Sequence, residues 1–151
     1  MERIVVGVDG SDPSRAALQW AVEEARLRGA QLEILLAAPL PRTYLDPIIF
    51  PPPPVADVRA AAREQLDQIV DSVDTSGCIV ERIVAVGGAA ELLREASQGA
   101  SLLVVGSRGR GGFAGLLLGS VAQQCIAHAS CPVAVITGHR PEGDREASAV
   151  A

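Results

Sequence analysis

The stretch that most constrains this chain runs from Ser101 to Val121, SLLVVGSRGRGGFAGLLLGSV, and joins an apolar strand, a glycine-rich loop and a helix start. Leu102 to Val105 is a short apolar run with β-branched residues, of the kind seen in a parallel strand covered on both faces. It stops at Gly106. Between Gly106 and Gly119 there are six glycines and two arginines, Arg108 and Arg110, and no acidic residue. Glycine allows peptide N–H groups to turn toward an anion with no Cβ in the way. Gly119 and Ser120 then open a helix expected from Val121 to about Ala129, whose first amides and partial positive charge suit a phosphate. The ordinary alternative is a tight βα turn with a capping serine. Such a turn needs two or three residues, whereas about a dozen are spent here. A phosphate-bearing ligand is the favoured reading.

The basic residues narrow the mode of binding. All 13 are arginine, and there is no lysine. This excludes a Walker-type P-loop, a protein-kinase site and Schiff-base chemistry, each of which needs a lysine. A net charge of −5 and 3% aromatic residues argue against a nucleic-acid surface of basic patches and stacking rings. No apolar run reaches the roughly 18 residues of a membrane span, and the N-terminus enters a strand without a signal-peptide pattern. A soluble, cytoplasmic protein with no membrane or nucleic-acid partner is expected. Cys78, Cys125 and Cys131 are odd in number and form no C-x-x-C pair, so they are expected to be small buried residues.

In chain order, Arg3 to Val8 reads as a strand ending in Gly7-Val8-Asp9-Gly10-Ser11. A helix follows, capped by Ser11 or Asp12 and closed by Gly29, with Ala17, Leu18, Ala21, Val22 and Ala25 as its sheet-facing stripe. Gln31 to Ala38 is a second strand. Residues 38–54 form a proline-rich connector that can be neither helix nor ladder strand. Val55 to about Asp74 is an amphipathic helix on Val58, Ala62, Leu66, Ile69 and Val73. Cys78 to Val86 is a third strand, and Gly87-Gly88 leads into a short helix through Ala96. Cys131 to Ile136 is the last strand, and residues 138–151 a flexible polar tail. Strand and helix alternate to a fifth strand, which makes a single-domain α/β parallel sandwich.

The spacing Gly106-x2-Gly109-x9-Gly119-Ser120 resembles the G-x2-G-x9-G-S/T signature of the ATP-binding branch of the universal stress protein family. The opening VVGVDGS and closing CPVAVI are similar to that family's first and last strands, so the resemblance covers about residues 2 to 137. It implies an open five-stranded parallel sheet of order 3-2-1-4-5, helices on both faces, of the adenine nucleotide alpha hydrolase-like kind. It also implies a nucleotide site formed by Gly7, Asp9, Ala37, Val105, Gly106, Arg108, Gly109, Arg110, Gly119, Ser120 and Val121. Within that site, Ala37 meets adenine through its backbone, and the phosphates lie on Gly109, Arg110, Gly119, Ser120 and Val121. Asp9 lies near the adenosine or a bound metal, with ATP accompanied by Mg²⁺ or Mn²⁺. A homodimer through Val133 to Ile136 is implied as well. Read from the residues alone, an Asp in such a DGS turn is more commonly a capping or turn carboxylate.

Three functions then stand side by side: an ATP-binding regulatory protein, a slow Mg²⁺-assisted ATPase, and a dimeric module that binds no nucleotide. For an efficient enzyme, the sequence lacks an activated nucleophile. His128 falls late in a helix, His139 in the tail, and no His/Asp/Glu cluster has metal-ligand spacing. Gly109 to Ala114 also fits G-x-G-x-x-A, a dinucleotide fingerprint. That pattern should open a helix and be followed by an acidic residue about 20 positions on, and neither condition is met.

Overall fold

The computed structural model describes residues 1–40, 52–109 and 118–138. Five strands, β1 (Arg3–Val8), β2 (Gln31–Ala38), β3 (Ile79–Val86), β4 (Leu102–Gly106) and β5 (Val133–Ile136), form one sheet. Its order is β3-β2-β1-β4-β5, every pair parallel. Among the described residues four helices connect them: α1 (Asp12–Arg28), α2 (Val55–Asp71), α3 (Ala89–Ala96) and α4 (Ser120–His128). The expected fold and strand order are both present.

Alternation along the strands divides the apolar residues between two faces. Ile4, Val6 and Val8 of β1, with Leu32, Ile34 and Leu36 of β2, pack with the Ala17, Leu18, Ala21, Val22 and Ala25 stripe of α1 and with Ala62, Leu66 and Ile69 of α2. Val5, Leu35, Leu103 and Val105 point the other way, toward Leu93 of α3 and Ala122 and Cys125 of α4. The first face is the larger core. At the carboxyl ends of β1 and β2 the second face carries only Gly7 and Ala37, and Leu93 of α3 comes down against Gly7.

Local chemistry sets the ends. The Ser11 hydroxyl accepts the Ser14 N–H at 3.3 Å, Pro13 stands in the first turn of α1, and Gly29 closes it at φ 62°. α2 stops at Asp71 rather than Asp74. There the Ser72 hydroxyl donates to the Ile69 carbonyl at 2.6 Å, a bond that competes with helix continuation. β5 begins at Val133 rather than Cys131, because Pro132 has no N–H for the ladder, though its carbonyl accepts from Leu103 N at 2.9 Å. Cys78 falls in the turn before β3, its N–H bonding to Thr75 O at 3.2 Å. Of the three cysteines only Cys125 is buried. Cys78 and Cys131 are half-exposed because each precedes a strand rather than lying within one. The greater part of the proline-rich connector (41–51) and of the polar tail (139–151) lies outside the described residues.

Candidate functional site

β1 continues to one side of the sheet, through β2, and β4 to the other, through β5. The crevice where strand order reverses is the place where open α/β sheets hold ligands. A cavity of about 520 Å³ opens there, within the size range of small-molecule sites. Gly7 and Asp9 line it from β1, Ala37 from β2, and Val105, Gly106, Arg108 and Gly109 from β4 and its continuation. Gly119, Ser120 and Val121 line it from the start of α4. Arg110 lies outside the described residues.

The glycines differ in what they make room for. A Cβ at Gly106 would lie 2.8 Å from the Pro13 carbonyl carbon and 2.9 Å from Ser14 N, so this glycine lets α1 close onto β4. A Cβ at Gly7 would lie 2.9 Å from Leu93 Cδ1, at the far end of a flexible side chain. At Gly109 it would lie 2.5 Å from Asp9 Oδ2, so the loop after β4 sits directly against the Asp9 carboxylate. Gly119 donates to Ser107 O at 2.7 Å, pinching the stem of the glycine loop shut. Its own Cβ would stand 3.3 Å from Arg108 Cα.

Asp9 works first as a turn residue. Its Oδ1 accepts the Ser11 N–H at 2.9 Å and the Ser11 hydroxyl at 2.5 Å, while its own N–H donates to Ser14 Oγ at 3.2 Å. This web fixes the carboxylate between the entry to α1 and the glycine loop. Ser14, nearly fully buried, is satisfied by the same web, since its hydroxyl donates to Ser11 O at 3.1 Å.

Two helices start at the cavity on glycine. α4 has Gly119 and α3 has Gly88 as N-cap, and neither first turn receives a side-chain cap. The sequence pattern pointed to the first. The second follows Gly87, whose φ of 145° lets the chain leave β3 and turn directly into α3. Gly87, Gly88 and Ala89 all line the cavity. Gln65 does so from α2, and was not anticipated. Its trace in the sequence is a polar residue in register with an apolar stripe, seven positions after Val58, three after Ala62 and four before Ile69.

Nucleophilic chemistry has little support. Burial, with a smaller contribution from Cys131, pushes the Cys125 thiol up to about 11, so it is protonated at neutral pH. Burial raises Cys131 too. His128 is exposed in the last turn of α4, where a cation suits the helix end. Among the described residues no three His, Cys, Asp or Glu side chains gather as a metal cluster, and no helix is long and apolar enough to cross a membrane.

A doubly wound parallel sheet with a glycine-stemmed cavity at its switch point defines a class of ligand-binding α/β proteins. Residues 1–137 match the universal stress protein family, and the chain belongs to it. Universal stress protein Rv2624c of Mycobacterium tuberculosis is 33% identical over 150 residues, or 98% of this chain and 52% of the relative. The chain thus spans about half the length of the curated relatives it matches. A universal stress protein solved in complex with cAMP is 27% identical and superposes with a TM-score of 0.70, covering 91% of this chain and 98% of its own. One from Archaeoglobus fulgidus in complex with dAMP is 28% identical, with a TM-score of 0.64 over 90% and 98%.

Proposed function

We propose that this chain binds an adenine nucleotide, ATP foremost, in the switch-point cavity and acts as a cytoplasmic, nucleotide-dependent regulatory protein of the stress response. One observation carries this reading. The two stems of the glycine loop, the uncapped start of α4 and Asp9 all line one cavity of about 520 Å³. The phosphates lie over Gly109, Gly119, Ser120 and Val121, where backbone amides and the helix start favour negative charge, with Arg108 at the rim and Arg110 assigned from the sequence alone. Adenine lies toward Ala37. Relatives solved with cAMP and dAMP support the adenine class.

Asp9 sets a condition on this arrangement, because a carboxylate beside a phosphate chain repels it. A Mg²⁺ or Mn²⁺ carried by the nucleotide would remove the conflict, with Asp9 as one carboxylate ligand and phosphate oxygens and water supplying the rest. That donor set fits a magnesium site. The metal would supply charge neutralisation. The residues of this chain supply position: the backbone N–H of Ser11, which any residue there would keep, holds Asp9, and the Ser107 carbonyl holds Gly119. Asp9 is assigned to the metal, and among the described residues no other acid and no histidine lines the cavity, so the reading is of a binding protein with at most slow hydrolysis.

A homodimer through β5 completes the proposal. Val133, Ala134, Val135 and Ile136 are each half-exposed on an edge strand without charge. Such an edge pairs readily with another chain. Val135→Lys is expected to convert a dimer to a monomer in analytical ultracentrifugation, and a dimer that persists moves the interface elsewhere.

The test of the central reading is to denature freshly purified protein, identify any released nucleotide, and titrate the stripped protein calorimetrically with ATP, with and without Mg²⁺. Released or tightly bound adenine nucleotide supports the site. Absence of binding to every adenine nucleotide overturns it.

A further inference from the structure

We infer that Gln65 of α2 reads the base, its amide oxygen accepting a hydrogen bond from the 6-amino group of adenine. The inference rests on the adenine-nucleotide reading of the cavity and adds a specificity-determining residue from an element outside the glycine signature.

Gln65 is half-buried, lines the cavity, and directs Nε2 toward the Asp9 carbonyl oxygen at 3.5 Å. That bond is at the outer limit of hydrogen-bond distance, so it orients the amide more than it satisfies it. Its chemistry nevertheless sets which end faces the strand. A carbonyl oxygen can be faced only by the NH₂ end of the amide, because turning Oε1 toward it would oppose two acceptors. Oε1 is therefore the end left for another donor, and among the described residues no donor reaches it.

The position is that of the base rather than the phosphates. Gln65 comes from α2, which packs on β2 and β3, the side of Ala37 where adenine is placed, and the Asp9 carbonyl that it faces follows Val8, the partner of Leu36. The phosphate amides belong to β4 and α4, on the other side of β1. An acceptor held there favours a purine with an amino group at position 6 and disfavours one with an oxygen. A glutamine amide whose NH₂ end faces a carbonyl oxygen presents its acceptor to the base and loses the ambivalence that would let it serve both. A polar side chain in register with the Val58, Ala62 and Ile69 stripe is a local departure from helix patterning, the kind that functional positions show.

The experiment compares ATP, ITP and dATP by calorimetric titration of the wild-type protein, Gln65→Met and Gln65→Glu, with thermal melts to check folding. Wild type is expected to prefer ATP over ITP by about tenfold or more. Gln65→Met should narrow that preference about fivefold or more while leaving the ATP to dATP ratio unchanged. Gln65→Glu keeps an acceptor and should retain the ATP preference at lower overall affinity. It also decides the matter if the methionine variant does not fold. An ATP to ITP ratio unaltered in Gln65→Met, or a preference lost in Gln65→Glu, overturns the assignment. So does a change confined to the ATP to dATP ratio, which would place Gln65 on the ribose. Those outcomes leave the nucleotide reading intact. Failure of the wild-type protein to bind all three nucleotides overturns both.

Discussion

α1 and α4 both begin at the carboxyl end of the sheet, on strands that are neighbours, and their first turns are finished in opposite ways. At α1, Ser11 takes the Ser14 N–H, Asp9 takes the Ser11 N–H, and Asp12 adds negative charge to the first turn. The chain satisfies that end itself. At α4, Gly119 offers no side chain, and the first turn has no acidic residue. Leaving orphan amides without a side-chain cap costs helix stability, and such donors suit a ligand or water. One helix start is finished by its own side chains; the other, on the function proposed above, is finished by the ligand.

The strongest way to break this contrast is to finish α4 as α1 is finished. Gly119 has φ −70° and ψ 165°, a backbone open to any residue, so Gly119→Asp introduces a capping carboxylate without backbone strain. The added Cβ must gain a few tenths of an ångström from Arg108 Cα. ATP affinity should fall by about 100-fold or more, as the new carboxylate takes the amides and repels phosphate. The melting temperature should stay within a few degrees of wild type. Undiminished affinity in calorimetry would place the phosphates away from α4.

Next in size is Gly106→Ala, which tests the other meaning of a glycine. Its Cβ would press on the Pro13 and Ser14 backbone, so a stability loss of about 1–3 kcal/mol is expected in urea unfolding. Wild-type stability would show that α1 gives way easily and that this glycine serves only the cavity. The smallest effect is expected from Ser11→Ala. Loss of the α1 cap should cost about 1 kcal/mol in the same assay while ATP affinity changes less than about threefold. A large drop in affinity at constant stability would mean that Ser11 serves the ligand through Asp9, and the contrast between the two helix starts would collapse.

The two sheet edges differ in a similar way. On β3 the Arg82 carbonyl is covered by Arg63 at 3.1 Å, and Arg82 itself bonds Asp67 at 2.8 Å and Asp71 at 3.0 Å. The Asp67 hydrogen bond, the largest influence, raises the Arg82 pKa further, so the charge is permanent. Charge and a covering side chain close that edge to other strands. Among the described residues β5 has neither, and its apolar residues stand half-exposed.

Sequence periodicity was enough to place the strands and helices, because the stripe of α1 and the apolar runs of β1 and β4 are set by burial on a regular spacing. Strand ends and helix ends moved by one to three residues where a hydroxyl or a proline intervened, as at Ser72 and Pro132. The glycine spacing singled out the loop, and Asp9 stood out at the end of β1. The dual part of Asp9 in the α1 entry and against Gly109 was not readable, because two segments a hundred residues apart meet there.

By itself, then, the sequence determined the alternating α/β plan, the absence of lysine chemistry and the family, since each depends on local pattern and residue type. Only the tertiary structure decided which glycines admit a helix and which face the cavity. It alone joined the Gly87-Gly88 end of β3 and Gln65 of α2 to the cavity, and it covered the β3 edge with charged side chains. Those properties depend on which segments the sheet order brings together, and a parallel sheet makes neighbours of residues that the chain keeps far apart.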